Sequence, residues 1–176
     1  MKIAIATILM AAAAFPAGAT PLVLQIGRIG EVQAEETSGP KPPLPGNMAG
    51  MSEVDSPRYM RLGPDITGTY CKQFGLEFRA ANLPPGVTAP VMVQLQHPQW
   101  TGPNGQTSTT ELNPGMVSGD HWSYAGYTLE EDWSLVPGTW TFTITQGPRI
   151  LATTSFNVSV EPGQHMPATG CSTPTS

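Results

Sequence analysis

The sequence predicts an all-β fold, a single-domain sandwich of two antiparallel sheets, on three observations. Apolar residues recur with a period of two wherever a period can be read. Short runs of this kind follow one another about every dozen residues and are separated by Gly/Pro turns. The chain is poor in charge and rich in Thr, Gly and Pro, and after its first residues it lacks the Glu, Lys, Ala and Leu that long helices need.

The first nineteen residues read as a signal peptide. Lys2 supplies a basic start, Ile3 to Phe15 carries no charge, and Ala17-Gly18-Ala19 places small residues where signal peptidase cuts. The apolar run is broken by Pro16, Gly18 and Pro21, short of the roughly 20 residues a membrane span requires, so no membrane insertion of the mature chain is expected. The remainder, roughly 157 residues, suits one hydrophobic core.

Leu22, Leu24 and Ile26 open a first strand. Glu36 to Pro57, centred on GPKPPLPGNMAG, is too long and too rich in Pro and Gly for a tight turn and reads as an excursion or mobile loop. Phe74, Leu76, Phe78 and Ala80 face opposite Gln73, Glu77 and Arg79, and Val91, Val93 and Leu95 face opposite Met92, Gln94 and Gln96. Trp122 and Tyr124 mark a further short strand. In Thr139 to Thr145 threonines alternate with Trp140, Phe142 and Ile144, giving one apolar face and one threonine ladder. After the turn Gln146-Gly147-Pro148-Arg149 the even positions Ile150, Ala152, Thr154, Phe156, Val158 and Val160 continue the pattern, which predicts a hairpin. The predicted core is Phe74, Leu76, Phe78, Val93, Leu95, Trp140, Phe142, Ile144, Phe156 and Val158. From Glu161 onward the tail is expected to be extended.

Cys71 and Cys171 are the only cysteines. In an oxidising compartment two thiols pair, so one disulfide is expected, closing a loop of about 100 residues and tying the tail to the body. A C-x-x-C spacing, which a redox or metal thiol pair would want, is absent. A periplasmic or secreted location follows from leader and disulfide together.

Several pieces carry a resemblance: KQFGLEF (Lys72 to Phe78), the strand ending in His97-Pro98, TGPNG (Thr101 to Gly105), SYAGYTLEEDW (Ser123 to Trp133), VPGTWTFTI and LATTSFNV. Over about Thr67 to Val160 the chain resembles the bacterial family known as domain of unknown function thirty-eight-fifty-nine. The resemblance implies an immunoglobulin-like sandwich without an established activity and transfers no functional residue. The Pro-rich excursion and the cysteine-bearing tail fall outside it.

For function, the sequence excludes more than it assigns. The mature chain's basic residues are scattered, so there is no stripe for a phosphate backbone, and no nucleic-acid partner is expected. There is no G-x-S-x-G elbow, P-loop, H-E-x-x-H or dinucleotide fingerprint, so no catalytic residue is assigned and no cofactor is expected. Glu130-Glu131-Asp132 is the one carboxylate cluster that could suit a glycan-active or glycan-binding domain, although three consecutive acids on a turn ordinarily stay in water. A copper-binding alternative rests on thioether and imidazole ligands, Met48 and Met51 with His165 and Met166, while His97 and His121 lie near strand ends. Methionine is also a common filler of core gaps. The leading expectation is an exported, non-enzymatic binding or interaction module whose partner, an envelope protein by compartment, is not named by the sequence. Its candidate contact is the loop HPQWTGPNG, with Trp100 read as an exposed aromatic beside His97.

Overall fold

Alternating strands become a sandwich when each sheet buries its apolar face against the other. The computed structural model describes residues 20–38, 41–164 and 171; the expected leader, residues 1–19, lies outside them. Nine strands are described: β1 (Leu24–Glu36), β2 (Val54–Leu62), β3 (Asp65–Gly68), β4 (Gln73–Ala80), β5 (Thr88–Thr101), β6 (Thr107–Ser118), β7 (Ser123–Thr128), β8 (Gly138–Gln146) and β9 (Arg149–Val160). A single 3-10 turn at Asp132–Ser134 is the one helical element among them. The first sheet has the order β2-β1-β4-β7 and the second β3-β9-β8-β5-β6. The pairs are antiparallel except β3 with β9, which is parallel because the chain enters β3 directly from the opposite sheet.

All ten predicted core residues pack in one cluster between the sheets, nine of them buried and Val93 partly so. Trp140 pairs with Phe156 and Ile144 with Ala152 across the β8–β9 hairpin, as the even register requires. A register shift between Ile144 and Thr145 then turns Ile150 outward, and it is 65% exposed. Phe74 meets Trp140, Phe142 and Phe156 edge-on at 5.3 to 6.3 Å between ring centroids. Removing each such side chain from water contributes about 1.5–3 kcal/mol.

The expected disulfide is formed, with the Cα atoms of Cys71 and Cys171 5.0 Å apart. Nearby, Gln164 accepts a hydrogen bond from the Tyr70 amide, so residues of the tail touch the body at the start of β4.

Two stretches depart from the sequence reading. Strand β2 begins at Val54, inside the span taken as irregular, and the excursion before it is the tip of the β1–β2 hairpin. Thr37 N donates to Glu53 O, and Lys41 and Met51 exchange backbone hydrogen bonds, so the two arms of the tip remain paired. Strand β6 has no readable alternation, because its inward positions include Glu111, 1% exposed, while Leu112 points out at 47%. Similarly, Glu77 faces outward from β4 yet is buried, because the Arg28 guanidinium closes on it with hydrogen bonds of 3.0 Å to both carboxylate oxygens.

Candidate functional site

The sequence candidate Trp100 is not exposed. Strand β5 does not end at His97-Pro98 but continues to Thr101, with a register shift against β6 between Gln96 and Trp100. Inward positions are odd through Val91, Val93, Leu95 and His97, and the bulge shifts the parity so that Trp100 also points inward. Trp100 has no exposed surface; it stacks on the His97 ring at 3.4 Å and packs against Trp133, Trp140 and Tyr127. The partner contact read at Trp100 and His97 is therefore corrected: both residues belong to the interior.

His97 brings a polar group into that interior. Its Nδ1 donates to Pro98 O at 2.8 Å, which leaves Nε2 facing Glu111 Oε1 at 3.7 Å without a hydrogen bond. Burial lowers the His97 pKa below the ordinary imidazole value, against the opposing pull of the Pro98 carbonyl and the Glu111 carboxylate. The remaining Glu111 oxygen, Oε2, accepts from the backbone amides of Met48 and Ala49 at 2.8 and 3.0 Å, and Ser108 Oγ donates to Oε1. One buried carboxylate thus clamps the hairpin tip onto β6.

Asn47 completes the clamp. Its side-chain amide donates to Leu112 O and accepts from Leu112 N, so it pairs with the outer edge of β6 as another strand would. Pro114, further along that edge, has no amide to offer. The expected mobile loop is, from Lys41 to Glu53, a folded segment held by these bonds and by the partial packing of Met48 and Ala49 on the core.

Beside this segment the sandwich is open. A cleft of about 540 Å³ lies between the edge strands β6 and β7, with Ala49 to Val54 and Glu36 also lining it and Phe78, Leu95 and Phe142 at its floor. Among the described strands β7 pairs with β4 alone. Its residues, SYAGYT, contain neither the charge nor the proline that usually blunts a sheet edge. Just past its end Glu130 also lines the cleft; desolvation, and then the like charges of Glu36 and Glu131, raise its pKa above the ordinary carboxylate value.

The other sequence candidates separate in space. Of the acidic triplet, Glu130 borders the cleft, Glu131 flanks the 3-10 turn and Asp132 accepts from the Tyr70 hydroxyl, so the three carboxylates do not converge. Of the methionines, Met48 packs against the core close to Gly102, Met51 borders the cleft, and His165 and Met166 lie outside the described residues. His121 is exposed beside Asp120. Among the described residues no group of three or more His, Cys, Asp or Glu is placed to hold a metal. Among the same residues no helix is long and apolar enough to cross a membrane.

What sequence reading missed was the clamp and the edge it leaves open. The available signal was a glutamate flanked by Thr110 and Leu112 at an inward register position, which without a known register looks like surface.

The architecture is similar to the crystal structure of an immunoglobulin-like protein from Pseudomonas aeruginosa, with a TM-score of 0.55 and 19% identity over 80% of this chain and 98% of that one. At that identity the likeness establishes the fold and nothing about activity. No curated protein matches the chain significantly. The family match begins at Met48, within the hairpin tip, and so includes Glu111, β6 and β7: over residues 48–158 the chain matches, and belongs to, the family described as Domain of unknown function (DUF3859).

Proposed function

We propose that this protein is an exported, non-enzymatic binding module that holds an extended segment of a partner protein in the cleft between β6 and β7. The carrying observation is the β7 edge, unpaired on its outer side among the described residues, uncharged and proline-free, beside a cleft floored by core side chains. Such an edge binds by adding a strand: main-chain hydrogen bonds supply affinity and side-chain pockets supply selectivity. Export is supported by the leader-like start and by the Cys71–Cys171 disulfide, a bond that persists in oxidising compartments. No reaction is proposed, since the three consecutive acids point to different surroundings and both oxygens of Glu111 are taken up by the Met48 and Ala49 amides and the Ser108 hydroxyl.

The test is site-specific photo-cross-linking in the native host, with the cross-linking residue at Ser123 or Met116 on the cleft or at Ile150, which is exposed and does not line it. The same partner captured from both cleft positions and not from Ile150 is the expected result. Equal capture from all three positions overturns the assignment of the cleft. Copper retained by the purified protein and lost on replacing Met48 and Met51 would instead establish the metal reading.

A further inference from the structure

We propose, resting on the cleft as the binding surface, that its occupant is an extended peptide segment carrying Lys or Arg, which pairs with the β7 edge and places its cation between Glu36 and Glu130. Among the described residues the cleft is lined by Glu36, Glu53, Glu111 and Glu130 and by no Lys, Arg or His. Two of the four already have partners: Glu53 pairs with Lys41, and Glu111 accepts from two backbone amides and the Ser108 hydroxyl. Glu36 and Glu130 have no ion-pair partner among the described residues, and the like charge of Glu36 contributes to the raised pKa of Glu130. A cation at this end of the cleft removes that repulsion, whereas an anionic ligand would add to it.

The edge sets the form of the occupant. Asn47 already covers β6 at Leu112 and Pro114 withholds an amide there, so β7 is the side with a ladder to offer. An added strand presents alternate side chains to opposite faces. One set enters the cleft above Phe78, Leu95 and Phe142 and the other faces away, so apolar residues are favoured at every second position. The cation belongs where β7 ends and Leu129-Glu130 begins.

The probes are three blocked peptides of alternating valine and threonine: one ending in two lysines, one ending in two glutamates, and the lysine peptide with alternate backbone amides methylated. Binding is followed by amide chemical shifts and hydrogen exchange of the intact mature protein. The lysine peptide is expected to shift and protect amides within Ser123–Thr128. The glutamate and methylated peptides are expected to bind far more weakly. The double variant Glu36→Gln/Glu130→Gln, whose sites are exposed and should leave the fold intact, is expected to bind the lysine peptide at least about tenfold more weakly and to lose its salt dependence. Equal binding of lysine and glutamate peptides along β7 overturns the cationic occupant and leaves the cleft reading standing. Undiminished binding of the methylated peptide overturns strand pairing. If no peptide perturbs β7, or the lysine peptide perturbs another face instead, the inference and the cleft reading both fail.

Discussion

Along one side of the sandwich β2 of the first sheet runs into β3 of the second through Gly63-Pro64, and backbone bonds seal the crossing: Gly63 N donates to Ile29 O, and Asn157 N donates to Pro64 O. Along the other side β6 and β7 are joined by a short link at Gly119 to Trp122 and by a bond from Ser123 Oγ to Met116 O, and the cleft lies between them. The interior does not need the second side closed, because Phe78, Leu95 and Phe142 are at most 4% exposed with the cleft present. A sandwich can therefore leave one seam for a ligand where its core is already complete, and the polar clamp at Glu111 can sit there without interrupting the aromatic cluster.

The largest effects are expected in the interior shared by both seams. Trp140→Ala and Trp100→Ala should each destabilise by about 3–5 kcal/mol, because both side chains are fully buried and packed on one another. On sequence alone Trp100 would be expected to cost no more than an exposed residue, within about 1 kcal/mol. Equilibrium denaturation decides, and a nearly neutral Trp100→Ala would remove the bulge in β5 on which the site's geometry depends.

The sealed seam comes next. Gly30 has a φ of 147°, and a Cβ there would lie 2.0 Å from Arg61 O on β2. Gly30→Ala should cost about 3 kcal/mol through backbone strain and displacement of β2. A change within the error of denaturation would show that β1 and β2 approach less closely than described.

At the open seam, Glu111→Gln should cost about 2 kcal/mol, since the amide keeps one acceptor and loses the charge that strengthens the bonds from Met48 and Ala49. The sharper readout is local: amide exchange at Met48 and Ala49 should accelerate more than exchange in β8. Uniform acceleration would mean that the clamp belongs to the global fold rather than to the seam.

The smallest effect is a pH dependence. The folded His97 value is lowered, with burial as the main cause, so below the ordinary value of 6.5 the unfolded chain takes up a proton that the folded protein resists. Stability contributed by neutral His97 is present above 6.5 and declines as pH falls toward the folded value. His97→Phe should flatten that decline, measured as the difference in denaturation midpoints across the window. An unchanged slope would assign the decline to carboxylates.

The legible parts of the fold were those in which neighbours in sequence carry the pattern. Thr139 to Thr145 announces Trp140, Phe142 and Ile144 as one face because a strand's side chains alternate whatever lies opposite. Strand β6 was illegible for the opposite reason: its inward Glu111 is tolerated because Met48, Ala49 and His97, which come from elsewhere in the chain, gather around it beside Ser108 of its own strand. Trp100 was misread because a bulge changes parity without leaving a mark in composition.

By itself the sequence determined the all-β class, most of the core and the single cysteine pair, since periodicity and cysteine count are local or arithmetic properties. Tertiary structure alone decided that the Pro-rich tip docks, that Trp100 and His97 are interior, and that β7 is a sheet edge beside Glu36 and Glu130. These are relations between residues distant in sequence, fixed by which strands pair and which edges remain uncovered.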